Sequence, residues 1–113
     1  MWLLIPEGFY FIVQKPGEED LSVRARVAAD LDRLRSTYLP TLSPTLETPG
    51  GDYRYRAWIG RDDLAKGMAE IARKLDYSNF KTEVALHDPE RADTYAQVWG
   101  VLGQLQLGGP YST

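Results

Sequence analysis

The sequence of 113 residues contains no cysteine and only one histidine, His87. The absence of cysteine excludes disulfide bonds, thiolate metal sites and cysteine nucleophiles. A single histidine cannot build a polyhistidine zinc site either. We therefore expect no metal centre in this protein.

Long hydrophobic runs are also lacking. The opening MWLLIP is apolar for only five residues before Pro6 and carries no basic leader. A secretory signal peptide or a membrane span requires a longer apolar stretch. We expect a cytoplasmic protein from a bacterium-like setting that has no membrane partner.

Nucleotide and nucleophile motifs are missing from the sequence. It contains neither G-x-x-x-x-G-K-[ST] nor G-x-G-x-x-G, and no serine lies in G-x-S-x-G. The acidic groups 18–20 and 62–63 fall in a predicted turn and at a predicted helix start, where carboxylates have local roles. We expect no cofactor, and an enzyme is the least supported class of function.

The composition is that of a folded chain, with 43% hydrophobic and 26% charged residues. We expect a single domain over residues 1–107 and a loose tail at 108–113. The net charge of −3 argues against a surface that coats nucleic acid or anionic membrane everywhere. A local basic patch is compatible with it.

Period-two alternation of apolar and polar residues predicts the strands. LSVRAR (21–26) and DYRYRAWIG (52–60) alternate clearly, and GFYFIVQK (8–15) is rich in aromatic and β-branched residues. Residues 1–5 are either a short separate strand or the start of one bent strand. The loop 41–51, with two prolines and two glycines, has room for a short edge strand.

Helical spacing of apolar residues predicts the helices. Stripes run from Val27 to Tyr38 and from Leu64 to Leu75, and Phe80 with Val84 suggests a short helix. The last helix has Asp88 as its N-cap and Pro89 at its first position, and should end before residues 108–110. Gly67 inside the second helix either costs up to ~1 kcal/mol or marks close packing.

These elements predict an α+β fold. We expect a two-layer sandwich, in which three to four helices pack on one face of a mostly antiparallel sheet of three to four strands. The arrangement would be a relative of the ferredoxin-like fold with permuted connections.

The alternation also assigns side chains to the two faces of this sheet. We expect the inward positions to be Phe9, Phe11, Val13, Leu21, Val23, Ala25, Tyr53, Tyr55, Ala57 and Ile59. We expect the outward positions to include Ile12, Gln14 and the candidate partner-binding residues Tyr10, Arg24, Arg26, Arg54, Arg56 and Trp58. The result would be an open face of four guanidinium groups with aromatic neighbours.

Three interpretations of this face are open. The arginines form ion pairs with Asp or Glu, or lie flat on Trp58 and Tyr10. Alternatively, the face binds a protein, since Arg, Tyr and Trp are enriched at interface hot spots. In the third interpretation it binds single-stranded nucleic acid or another anionic ligand. No RNP signature is present to support the third.

A second candidate surface is the last helix. Trp99 with Tyr95 and Leu102 is either core or the contact face of a homodimer, the commonest oligomer.

The segments MW, GFYFIV, VRAR, ADLDRL, DYRYR, DYSNFK and VWGVLGQLQ together resemble a family of short, uncharacterised bacterial proteins of about this length. The resemblance covers nearly the whole chain and implies no activity, cofactor or partner. The family pattern falls here on Arg24, Arg26, Tyr53, Arg56, Asp76, Tyr77, Asn79, Phe80 and Lys81. The leading hypothesis is thus a non-catalytic protein-interaction module that uses the arginine and aromatic face or the last helix. The alternative is a binder of single-stranded nucleic acid or another anion through Arg24, Arg26, Arg54 and Arg56.

Overall fold

A computed structural model of the protein describes residues 1–106. Its strands are β1 (Trp2–Ile5), β2 (Gly8–Val13), β3 (Leu21–Ala25), β4 (Leu46–Glu47) and β5 (Tyr55–Ile59). Its helices are α1 (Ala28–Thr37), α2 (Arg61–Arg73), α3 (Phe80–His87) and α4 (Pro89–Leu102), followed by a 3₁₀ turn at Gly103–Leu105. The predicted helix end at 108–110 and the predicted tail at 108–113 lie outside the described residues.

The predicted α+β class with an antiparallel sheet is confirmed. The strands form one sheet in the order β1-β2-β3-β5-β4, and each neighbouring pair is antiparallel. The sheet has five strands rather than the predicted three to four, because residues 2–5 pair as a separate strand and the loop 41–51 contributes the two-residue edge strand β4. The chain therefore runs as a three-strand meander, then through α1 to the other side of β3.

Internal packing divides the chain into two compact units, Met1–Asp76 and Tyr77–Thr113. The first contains the sheet with α1 and α2, and the second contains α3 and α4. That residues 1–107 act as a single domain stays a prediction.

The core of the first unit lies between α1 and one face of the sheet, where α1 contacts β2, β3 and β5. Val23 and Ala57 on that face are fully buried, as are Leu31 and Leu34 of α1. Burying each such leucine stabilises the fold by about 1.5–3 kcal/mol. We call this side of the sheet the inner face, and the opposite side the outer face.

Helix α2 adds to the same core through Leu64, with Met68 and Ile71 packed against it. Gly67 marks close packing, because a Cβ at this position would overlap the side chain of Leu39 and lie 3.1 Å from the carbonyl oxygen of Tyr38. The glycine allows α2 to approach the segment that follows α1.

The second unit is a pair of helices joined at Asp88. The Asp88 side chain accepts the Arg91 backbone N–H at 3.0 Å, so the predicted N-cap of the last helix is confirmed. Val84 of α3 is fully buried, and the rings of Phe80 and Tyr95 stack with centroids 5.8 Å apart. These contacts hold α3 against α4.

Candidate functional site

The register of β3 and β5 determines which side chains share the outer face. Arg24 pairs directly with Arg56, and Ser22 pairs with Trp58. Directly opposed residues of antiparallel strands point to the same side of a sheet. Because the neighbouring Val23 and Ala57 are buried on the inner face, the predicted outward placement of Arg24, Arg56 and Trp58 is confirmed.

The predicted orientation of β2 is wrong. Tyr10 is 0% exposed and Ile12 is buried in the inner core, so Tyr10 is not part of the outer face. Phe11 pairs with Arg24 and therefore lies on the outer face, and Phe9 and Val13 follow it by alternation.

A buried polar anchor accounts for this orientation. The Tyr10 hydroxyl donates to the carbonyl oxygen of Asp30 at 2.6 Å, and the Phe9 backbone N–H donates to the Asp30 carboxylate at 3.1 Å. Arg33 also pairs with this carboxylate. A Cβ on Gly8 would lie 2.6 Å from Asp30 Cγ, so glycine is needed there. Tyr10 is thus a structural residue that fastens β2 to α1.

The outer face carries a cluster of aromatic rings. Phe11 and Tyr53 stack with centroids 5.0 Å apart and planes 5° from parallel, and Phe9 lies 6.3 Å from Tyr53. Trp2 meets Phe9 edge to face at 5.7 Å. The predicted inward placement of Tyr53 is therefore wrong, because Tyr53 lies in the bend before β5 and is buried against outer-face rings.

The four predicted arginines divide into two groups. Arg54 forms an ion pair with Glu47 at 2.6 Å and lies over the ring of Tyr55, so it does not join the outer-face pair as predicted. The hydrogen bond and the charge of Glu47 raise the pKa of Arg54. Arg26 lies over the Tyr53 ring, 4.8 Å from its centroid. The first interpretation, in which the arginines have partners within the chain, therefore holds for two of the four. Arg54 forms an ion pair, and Arg26 lies on an aromatic ring other than those predicted.

Two of the four predicted arginines remain on the outer face, Arg24 and Arg56, and we call them the arginine pair. The Arg24 Nε donates to Ser22 Oγ at 3.1 Å, which orients that guanidinium. Burial and the charge of Arg56 lower the pKa of Arg24, while Glu18, Asp52 and Tyr53 act in the opposite direction. Within residues 1–106 neither member forms an ion pair with a carboxylate.

Within the described residues, the surroundings of Arg56 leave its Nε without an acceptor. Its buried Nε has no hydrogen-bond partner in the described part of the chain. A Cβ on Gly51 would lie 3.3 Å from Arg56 Nη2, so the turn before β5 passes close to the guanidinium. Buried donors are normally satisfied, which makes Arg56 exceptional among the side chains of residues 1–106.

The acidic groups predicted to have local roles meet at a second location. Glu19 and Asp20 line an open depression of about 480 Å³ together with Asp62 and Asp63 at the start of α2. Arg61 Nη2 donates to Gln14 Oε1 at 2.7 Å beside them. Among residues 1–106 no cluster of three or more His, Asp or Glu side chains is arranged to hold a metal ion.

The second unit exposes apolar side chains at the end of α4. Trp99 is 68% exposed, and Val101, Leu102 and Leu105 are exposed as well. Lys81 Nζ lies 4.3 Å from the centroid of the Trp99 ring. Tyr95 is buried, so the predicted set of Tyr95, Trp99 and Leu102 separates into one core residue and two surface residues.

Comparison of the chain with protein-family models, curated proteins and solved structures finds no match. The resemblance to short bacterial proteins therefore stays a prediction. No helix within residues 1–106 is long and apolar enough to span a bilayer.

Proposed function

We propose that this protein is a non-catalytic interaction module that binds another protein through the outer face of its sheet. The observation that supports it is the arginine pair, two cationic side chains held opposite each other beside aromatic rings without a carboxylate partner in residues 1–106. Arginine and aromatic side chains are enriched at protein interfaces and dominate their binding energy. Arginine remains protonated in proteins, so its role here is recognition rather than proton transfer.

The aromatic geometry favours a protein over single-stranded nucleic acid as the partner. Bases bind such platforms by stacking on free ring faces. Here Phe11 and Tyr53 stack on each other and Arg26 lies over Tyr53, so these rings already have neighbours. Arg54 is neutralised by Glu47, and the net charge of the chain is −3. Both features weaken the attraction of a phosphate backbone.

The last helix supports a second contact surface, for a homodimer. Large exposed apolar residues cluster at the end of α4, and such patches on soluble proteins often mark contact sites. Sedimentation of the purified protein tests this surface. We expect dimers that dissociate when Trp99 is replaced by Ser. A protein that is monomeric at all concentrations would rule out the homodimer.

Photo-crosslinking tests the main proposal. A benzoylphenylalanine in place of Trp2, which is 62% exposed beside Phe9, reports contacts of the outer face in host cells. The same group in place of Lys66 on the exposed side of α2 is the control. We expect a discrete protein adduct from position 2 that survives nuclease treatment and weakens when Arg24 and Arg56 are replaced by Met. An adduct that nuclease destroys, or equal adducts from both positions, would refute the proposal.

A further inference from the structure

The arginine pair is unusual because like charges face each other directly. Opposed residues of antiparallel strands have Cβ atoms ~4.5–5.5 Å apart, and like charges in that position destabilise a sheet. The chain supplies carboxylates to other arginines, since Arg54 has Glu47 and Arg35 has Asp32. Within residues 1–106 it supplies none to Arg24 or Arg56.

The chain instead orients the Arg24 guanidinium and encloses that of Arg56, and residues 1–106 pair neither of them with a carboxylate. Ser22 is buried and its hydroxyl fixes the Arg24 Nε. Arg56 is enclosed enough that its Nε is shielded from solvent, yet no acceptor of the described chain reaches it. Glu18 and Asp52 influence Arg24 only through space. An acidic group from outside the chain would meet two neighbouring cations, of which Arg24 is already oriented, and would relieve their repulsion.

We infer that Arg24 and Arg56 together form an oxyanion site that binds an acidic side chain of the protein partner, a carboxylate or a phosphate. This inference rests on the proposed function and specifies the chemistry of the partner. The guanidinium fork matches both anions through paired N–H donors. Because the net charge of the chain is −3, a local cationic site rather than the surface as a whole would attract an acidic segment.

Titration of the purified protein with short peptides tests the site directly. The probes are a blocked hexaglutamate peptide, a phosphoserine peptide of equal length, and hexaglutamine as the uncharged reference. We expect one or both acidic peptides to bind in a salt-sensitive manner. We expect Arg24→Met and Arg56→Met each to weaken that binding by about tenfold or more, the loss typical of a charge-assisted contact.

Arg54→Met is the matched control, since Arg54 lies two residues from Arg56 and already has Glu47 as its partner. It should leave the affinity unchanged. Comparison of the glutamate and phosphoserine peptides identifies the anion. Thermal unfolding and circular dichroism establish that each variant is folded, and Arg24, which is partly exposed, provides a variant independent of the buried Arg56 Nε.

Three results would overturn the inference. The first is that hexaglutamine binds as tightly as the acidic peptides. The second is that neither Met variant weakens the binding of an acidic peptide. The third is that neither acidic peptide binds. An oligothymidine that binds where both peptides fail would assign the pair to nucleic acid. If the peptides fail while crosslinking from position 2 finds a protein, the oxyanion site is wrong and the proposed function stands. If the acidic peptides bind but crosslinking from position 2 finds no protein, the oxyanion site stands and the proposed function is wrong.

Discussion

Phe11 of β2 and Tyr53, in the bend before β5, stack face to face across the intervening strand β3, with ring centroids 5.0 Å apart. This contact joins the meander to the strand that returns after α1. It also holds the bend at residues 51–54, in which the Tyr53 ring lies under Arg26 and Gly51 lies close to Arg56. The stack therefore organises the outer face on which the arginine pair lies.

Replacing Tyr53 by Ala should reduce the free energy of unfolding by about 2–4 kcal/mol, because a buried ring and its stacking partner lose contact. Tyr53→Phe keeps the ring and should stay within about 0.5 kcal/mol of the original protein. Urea denaturation followed by tryptophan fluorescence measures both. Equal stability of the Ala and Phe variants would show that the stack does not support the fold.

Asp30 should be the most sensitive acidic residue of the first unit. Asp30→Ala leaves the Phe9 N–H and the Arg33 side chain without their acceptor, so we expect a loss of about 2–3 kcal/mol. Asp32→Ala, two residues away, breaks a surface ion pair with Arg35 and should cost less than about 1 kcal/mol. Similar losses for the two variants in chemical denaturation would contradict a special role for Asp30.

Two glycine substitutions should change stability in opposite directions. Gly67→Ala places a methyl group against Leu39 and the Tyr38 carbonyl, so we expect a loss of about 1–3 kcal/mol despite the better helix propensity of alanine. Gly100→Ala lies in α4, where a Cβ meets no atom of the described residues within 4 Å apart from the local helix backbone, and should gain about 0.5–1 kcal/mol. Thermal unfolding compares them, and a stabilised Gly67→Ala variant would refute the close packing.

Arg56→Met should stabilise the protein by about 0.5–1 kcal/mol, because it removes the charge opposite Arg24 and the unsatisfied Nε while keeping the apolar stem. Arg54→Met breaks an exposed ion pair and should instead be neutral or destabilising by up to about 1 kcal/mol. A binding residue that costs stability would fit the proposed function. A clearly destabilised Arg56→Met variant would show that Arg56 supports the fold.

The sequence predicted the elements well and the faces only in part. LSVRA has charged or polar residues at every second position, so its phase and that of the paired β5 could be read from periodicity. GFYFIV is apolar on both sides, so alternation alone could not choose between Tyr10 and Phe11 as the inward residue. The deciding contact is the Tyr10 bond to Asp30, which lies twenty residues away in the chain.

Periodicity was also insufficient to place all four arginines. The predicted strand includes residues 52–54, but β5 begins at Tyr55, so alternation does not determine where Tyr53 and Arg54 point. Glu47 in the edge strand forms an ion pair with Arg54. A carboxylate within the proline-rich loop 41–51 was the available signal for this ion pair, yet its pairing depends on the sheet order, which local patterns do not determine.

The most direct measurement is the ¹⁵N NMR spectrum of the arginine Nη groups during titration with the acidic peptide that binds more tightly. We expect the Nη signals of Arg24 and Arg56 to shift together and saturate, while those of Arg54, whose Nη2 already pairs with Glu47, stay in place. Shifts of Arg54 or Arg61 in the absence of shifts at Arg24 and Arg56 would contradict this expectation.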